Sequence, residues 1–198
     1  MPPDMLPSST PNLKAWLAQQ RQNAVVWARQ LLADPQAIIL DTETTGLHAG
    51  AEIIEISILE VTSGTALLDS LVKPKGNIPR QASAIHGLTT TAVAAAPTWP
   101  ELHDQVGEIL QRASQIVIYN AEFDLRLLRQ TRDLYALPPV GPPRSRYHCA
   151  MQQYARFMGQ WDAARQSFRW QALRGGNHRA LGDCRATLQL LKKMSAKG

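Results

Sequence analysis

Apolar positions change their period along this chain, and the changes mark its elements. Leu13, Trp16, Leu17, Ala24, Trp27, Ala28 and Leu31 fall on one broad stripe of a helical wheel. Thr10-Pro11 supplies a start, as N-cap and first helical residue, and Asp34-Pro35 a stop. Ala37-Ile38-Ile39-Leu40 is a short unbroken apolar run, as in a buried strand leading into Asp41. Residues 52–61 (EIIEISILEV) predict a second strand, and Ser63-Gly64-Thr65 a turn into a third over 66–73. Lys73-Pro74 stops that strand, and the following stretch reads as a loop. Thr98-Trp99-Pro100-Glu101 has capping-box spacing, and Leu102, Val106, Ile109 and Leu110 mark the buried face of the helix it opens. Ile116-Val117-Ile118 is a further buried strand, feeding a helix that contains Phe123, Leu127 and Leu128. After a Pro-rich loop at 137–143, a helix is predicted from about residue 147 to 158, with Gly159 as its C-cap. A last helix, about 180 to 194, buries Leu181, Cys184, Leu188 and Leu191. A meander, a helix, a strand and then mostly helices make an α/β chain with a mixed sheet.

The length, 198 residues, suits one domain, and a hydrophobic share of 44% suffices for a core. Residues 1–11, rich in Pro, Ser and Thr, read as a disordered leader. Residues 12–36 read as an N-terminal amphipathic helical extension and 37–198 as the main domain. The stripe of the extension is expected to dock on that domain, the sharper alternative being a helix that binds a protein partner. Read as an extension, residues 1–34 are expected to be removable without loss of catalysis. No apolar run approaches the roughly 18 residues of a membrane span, and MPPDMLPSSTPN is not a secretory signal. Cys149 and Cys184, far apart, read as reduced thiols of a cytoplasmic protein.

Charge is unevenly placed. Residues 37–115 carry nine acids against four bases (net −5), and 116–198 carry fourteen bases against five acids (net +9). A basic C-terminal part facing a phosphate backbone explains this asymmetry, and so does a solvated arginine-rich surface. Arg165, Arg169, Arg174 and Arg179 are interleaved with Phe168 and Trp170, the composition expected for gripping a single strand. The blander reading packs Phe168 and Trp170 into a short helix.

The chemistry lies at element ends. Asp41 and Glu43, two residues apart at the end of the first strand, project from one face. Two acids side by side at a buried strand end are unfavourable without a cation, and hard carboxylate oxygens suit Mg²⁺ or Mn²⁺. Alone, such a pair is as readily a solvated strand edge. Asp124 falls in the first turn of a helix, where the helix dipole also favours an acid. Asp183 opens the last helix, and His178, five residues earlier, can fold back over the same place. Four acids and one histidine, each at an element end, form a set.

Asp41-Thr42-Glu43-Thr44-Thr45-Gly46, Asn120-Ala121-Glu122-Phe123-Asp124 and His178-Arg179-Ala180-Leu181-Gly182-Asp183 together resemble the three motifs of the DEDDh-type 3′→5′ exonuclease family. That family includes the proofreading epsilon subunit of bacterial DNA polymerase III, ribonuclease T and oligoribonuclease. Ile85-His86-Gly87-Leu88-Thr89 resembles a segment common in epsilon-type members. The resemblance covers roughly residues 37–194 and implies a ribonuclease H-like fold, with a mixed five-stranded sheet (an antiparallel three-strand meander plus parallel strands) flanked by helices. It implies that Asp41 bridges two divalent metal ions, that Glu43 and Asp183 complete the shell of the first, and that Asp124 holds the second, partly through water. It implies that His178 takes a proton from the attacking water. Thr44 and Leu47 would contact the terminal nucleotide, Phe123 a base or sugar, with Thr42 and His86 on the substrate side. The implied activity is 3′→5′ hydrolysis of DNA, at single-stranded 3′ ends, releasing 5′-mononucleotides. The alternatives are an exoribonuclease of the ribonuclease T or oligoribonuclease type, and an inactive polymerase-associated module that binds nucleic acid. The segment 85–89 favours DNA.

Overall fold

The computed structural model describes residues 10–196, with side chains from residue 13 onwards. Residues 1–9, most of the expected leader, lie outside the described residues. The helix α1 (Thr10–Ala33) is followed by β1 (Ala37–Thr44), β2 (Ile53–Glu60) and β3 (Ala66–Leu71). Then come α2 (Arg80–His86), α3 (Trp99–Arg112), β4 (Gln115–Ile118), α4 (Ala121–Leu134), β5 (Tyr147–Cys149) and α5 (Ala150–Met158). A two-residue hairpin, β6 (Trp161–Asp162) and β7 (Ser167–Phe168), precedes α6 (Ala180–Ser195).

The sheet has five strands in the order β3-β2-β1-β4-β5. β1, β2 and β3 pair antiparallel, whereas β4 runs parallel to β1 and β5 parallel to β4. This is the mixed sheet of the ribonuclease H-like fold. β1 lies at its centre, and alternation along the strands divides the core. Ile38, Leu40, Ile116 and Ile118 face α3 and α4, in a layer built around the fully buried Trp99. Ala37, Ile39, Val117 and Leu59 face the opposite way, into a layer with Ala28, Tyr154, Leu188 and Leu191 from α1, α5 and α6. A side chain's position along β1 therefore decides which helical layer it meets.

Three stretches differ from expectation. The expected loop after β3 contains α2, ended by Gly87 in a left-handed conformation (φ 75°). The helix expected from residue 147 begins at Ala150, because Tyr147-His148-Cys149 pair with Ile116, Val117 and Ile118 as the fifth strand. Three residues are too few to reveal a strand's alternation beside a helix. Phe168 lies in the β6–β7 hairpin and not in a short helix. The capping box forms as its spacing predicts: the Thr98 amide and hydroxyl both donate to Glu101 Oε2, at 2.6 and 2.7 Å.

α1 docks on the domain, with Ala24, Val25, Ala28 and Leu31 buried against α5 and α6. Val25 lies outside the stripe read from the sequence. Among the described residues no helix is long and apolar enough to cross a membrane. Because α1 closes this layer, its removal is expected to uncover a buried apolar face. Leu31→Ala should cost about 2–5 kcal/mol by urea denaturation, and deleting 1–34 should abolish the cooperative unfolding transition.

Candidate active site

The site gathers where β1 ends. Asp41 and Glu43 share the α6 face of the strand with Ile39, and β2 sets Ser57 and Glu55 directly opposite them. α6 begins over this face. Glu43, His178 and Asp183 each offer a ligand atom there, and the three atoms lie within 4.8 Å of one another. Asp124 arrives from the other layer, at the first turn of α4. Thr42, whose side chain points opposite to that of Asp41, fixes it: the Thr42 amide and hydroxyl donate to Asp124 Oδ1 at 3.1 and 2.7 Å. The structure thus brings all five expected groups to one end of one strand.

Crowding acids in a poorly hydrated place perturbs them in one direction. Burial first, and then Asp124, Asp183 and Glu43, hold the Asp41 carboxyl well above the usual carboxylate range. Burial, Asp183 and Glu55 raise Glu43 to about 8, and Arg179 opposes them. Burial raises Asp124 to about 7 although the Thr42 bonds favour its ionised form. Among the described residues no hydrogen bond reaches the carboxylates of Asp41 or Glu43. Oxygen donors so short of positive partners, converging with an imidazole, fit a divalent cation.

Glu55 was not singled out in the sequence. It is buried, at 3% exposure. Arg179 grips it through Nε (3.0 and 3.1 Å) and Nη2 (2.6 Å), and the Ala180 amide donates to its Oε2 at 2.9 Å. This forked pair anchors the first residue of α6 to β2, and so sets where His178 and Asp183 stand. The readable signal was an acid in the middle of a mostly apolar strand, a charge that needs a partner once buried. The loop before α6 is equally constrained. His178 has φ 54°, Asn177 N donates to Asp183 Oδ1 at 2.9 Å, and a Cβ on Gly176 would sit 2.7 Å from that oxygen. Beneath the acids, the buried Cys184 thiol faces the Ile39 and Ser57 carbonyls at 3.7 and 3.5 Å, and burial pushes its pKa up.

A cleft of about 450 Å³ opens beside Glu43. Thr42, Thr44, Leu47, His86 and Phe123, the expected substrate-side residues, all line it. Their parts differ. The Thr44 hydroxyl donates to the Gly46 carbonyl at 2.9 Å, shaping the turn, and the Thr42 hydroxyl is committed to Asp124. Leu47 is 78% exposed at the mouth. His86 is buried, its Nδ1 accepting from the Leu88 amide at 3.0 Å, and burial lowers its pKa.

The family model described as Exonuclease (RNase T) matches residues 38–191, which span every element of this site. The chain belongs to this exonuclease family. Its three motifs are those of the DEDDh type, and the chain is a nuclease, a hydrolase acting on nucleic acid. It is 38% identical over 185 residues to the uncharacterized exonuclease CP81 of Escherichia phage 186, covering 86% of this chain and 93% of that one. It is 32% identical over 97 residues to the DNA polymerase III subunit epsilon of Escherichia coli, covering 44% of this chain and 40% of the subunit. Exonuclease X, solved in complex with 5′ overhanging duplex DNA, superposes with a TM-score of 0.56 at 29% identity, over 82% of this chain and 93% of that chain.

Two outcomes test this exonuclease site. Glu43 and Asp124 are raised above their ordinary 4.5 and 3.8, to about 8 and about 7. Their contribution to stability is therefore full below pH 4 and lost as pH rises through 7 and 8. In EDTA the melting temperature should fall between pH 5 and 9, and a divalent cation should restore it most at the alkaline end. Glu55→Gln keeps an acceptor for the Ala180 amide but removes the charge pair. Amide exchange over residues 176–180 should then quicken, as read by mass spectrometry.

Proposed function

We infer that this protein is a 3′→5′ exonuclease that hydrolyses the terminal phosphodiester of DNA, at single-stranded 3′ ends, with two divalent cations, Mg²⁺ or Mn²⁺. The observation carrying the reading is the convergence of Asp41, Glu43, Asp124, Asp183 and His178 at one strand end, beside a cleft that can take a terminal nucleotide. Exonuclease X, with its 5′ overhanging duplex, engages a substrate whose 3′ end is recessed. That likeness and the epsilon relationship support the DNA preference, and the DEDDh resemblance supports the polarity.

Asp41, Glu43 and Asp183 would hold one cation, with Asp41 and Asp124 at a second. Bound there, the cations offset charge that builds on the phosphoryl oxygens and make water a better nucleophile. The chain's own groups do the rest. Leu47 and Phe123, both lining the cleft, contact the terminal nucleotide. Thr42 holds Asp124 in line with Asp41, and the Glu55–Arg179 pair keeps the His178 loop over Glu43. His178, exposed and beside Glu43 and Asp183, removes a proton as water attacks phosphorus. The bond to the 3′-oxygen of the penultimate nucleotide breaks, and a 5′-mononucleotide leaves.

Matched 3′-tailed DNA and RNA oligonucleotides, incubated with Mg²⁺, Mn²⁺ or EDTA, test the reading directly. A ladder shortening from the 3′ end of DNA, absent in EDTA, is expected. Shortening from the 5′ end, or cleavage only of RNA, overturns it. Asp41→Ala should abolish cleavage. His178→Ala should lower turnover by about 10²- to 10⁴-fold with little change in metal affinity measured by calorimetry.

A further inference from the structure

The β6–β7 hairpin and the residues after it form an arm whose chemistry the active site does not use. Trp16 of α1 stacks on Phe168 (ring centroids 5.4 Å apart, planes at 12°). Trp161 meets both rings edge-on, 5.2 Å from Trp16 and 5.1 Å from Phe168. Three aromatic rings pinned in this way make a firm base on α1. Trp170, two residues beyond Phe168, joins no such cluster and is 69% exposed. A groove of about 600 Å³ runs between Arg165, Phe168, Arg169 and Trp170.

The arm is tied to the end of the sheet that carries the acids. The Tyr119 hydroxyl donates to the Gln171 carbonyl at 2.7 Å, and Tyr119 lies between β4 and the turn into α4 that delivers Asp124. The Arg169 amide donates to the Gln160 carbonyl at 2.8 Å, closing the arm's base. Trp170 is thereby held next to the residue bonded to the rim of the active site. Of the arm's acids, Asp162 accepts from the Ala164 and Arg165 amides at 3.1 and 3.2 Å and lies 3.8 Å from Arg169. Arg165 and Arg174 are exposed and have no ion pair among the described residues. An exposed indole sharing a groove with the unpaired Arg165, with Arg174 four residues further along the chain, suits a flat, uncharged ring attached to an anionic backbone.

We propose that the arm is a second nucleic-acid site, on which Trp170 stacks an unpaired base and Arg165 and Arg174 hold the adjoining phosphates, upstream of the terminal nucleotide in the cleft. The occupant is a single strand, because the indole offers a free face only to a base not already paired. This rests on the exonuclease reading for the direction of the strand, but binding at the arm needs no catalysis.

The test measures binding of fluorescein-labelled oligothymidylates of two to sixteen nucleotides to the full chain in EDTA, by fluorescence anisotropy. Trp170→Ala should weaken the sixteen-mer about 5- to 100-fold, and Trp170→Phe should recover most of that loss. The dinucleotide should bind all variants alike, and with Mg²⁺ its hydrolysis should be unchanged. Arg165→Ala combined with Arg174→Ala should flatten the salt dependence for the long strand alone. Unaltered binding of the sixteen-mer by Trp170→Ala overturns the proposal. So does a loss that falls equally on the dinucleotide. A chain that binds as described but cleaves nothing would overturn the exonuclease reading and leave the arm standing.

Discussion

Mutual repulsion among carboxylates at the end of β1 is the constraint that organises this protein. Burial raises Asp41, Glu43 and Asp124 by denying them water, and the neighbouring carboxylates, Asp183 among them, raise them further. A free chain would never hold them so. The apolar layers on both sides of the sheet supply the force that keeps them together, and a divalent cation is the partner we propose for them. Stability and function are thus set against each other in the metal-free protein, and on the proposed function a bound cation would reconcile them.

The two layers deliver the acids by different routes. Alternation along β1 turns Asp41 and Glu43 towards α6, where Asp183 waits, and turns Thr42 towards α4, where it fastens Asp124. One strand thereby collects ligands from both sides. On β2, Glu55 faces Glu43 across the ladder, a like-charge pairing that is unfavourable by itself. Arg179 resolves it. The guanidinium that neutralises Glu55 also brings the start of α6 into place. An ion pair at that spot is therefore best understood as a locating device, since its gain in stability is offset by desolvation.

Much of this was legible beforehand. Short apolar runs gave away β1 and β4, a mostly apolar stretch gave away β2, and the capping residues located α3. The acids were legible because each stands at an element end, within motifs of fixed order. What escaped was short or relational. β5 has three residues, too few for a period to show, and α2 covers barely two turns. The role of Glu55 depends on what stands opposite it in space, and no spacing along the chain records that. Val25 faces the core because α5 and α6 meet α1 together, which widens its buried face beyond a single stripe.

Cys184 lies directly below the acids, its thiol turned to two main-chain carbonyls and its ionised form disfavoured. A reagent that attacks thiolates cannot reach it while α6 rests on the sheet. Alkylation at this position thus clocks how often that helix lifts away. A cation held by Asp183 and Asp41, as proposed, would tie α6 to β1 and lengthen the interval, so the sulfur beneath the acids is a built-in gauge of that opening.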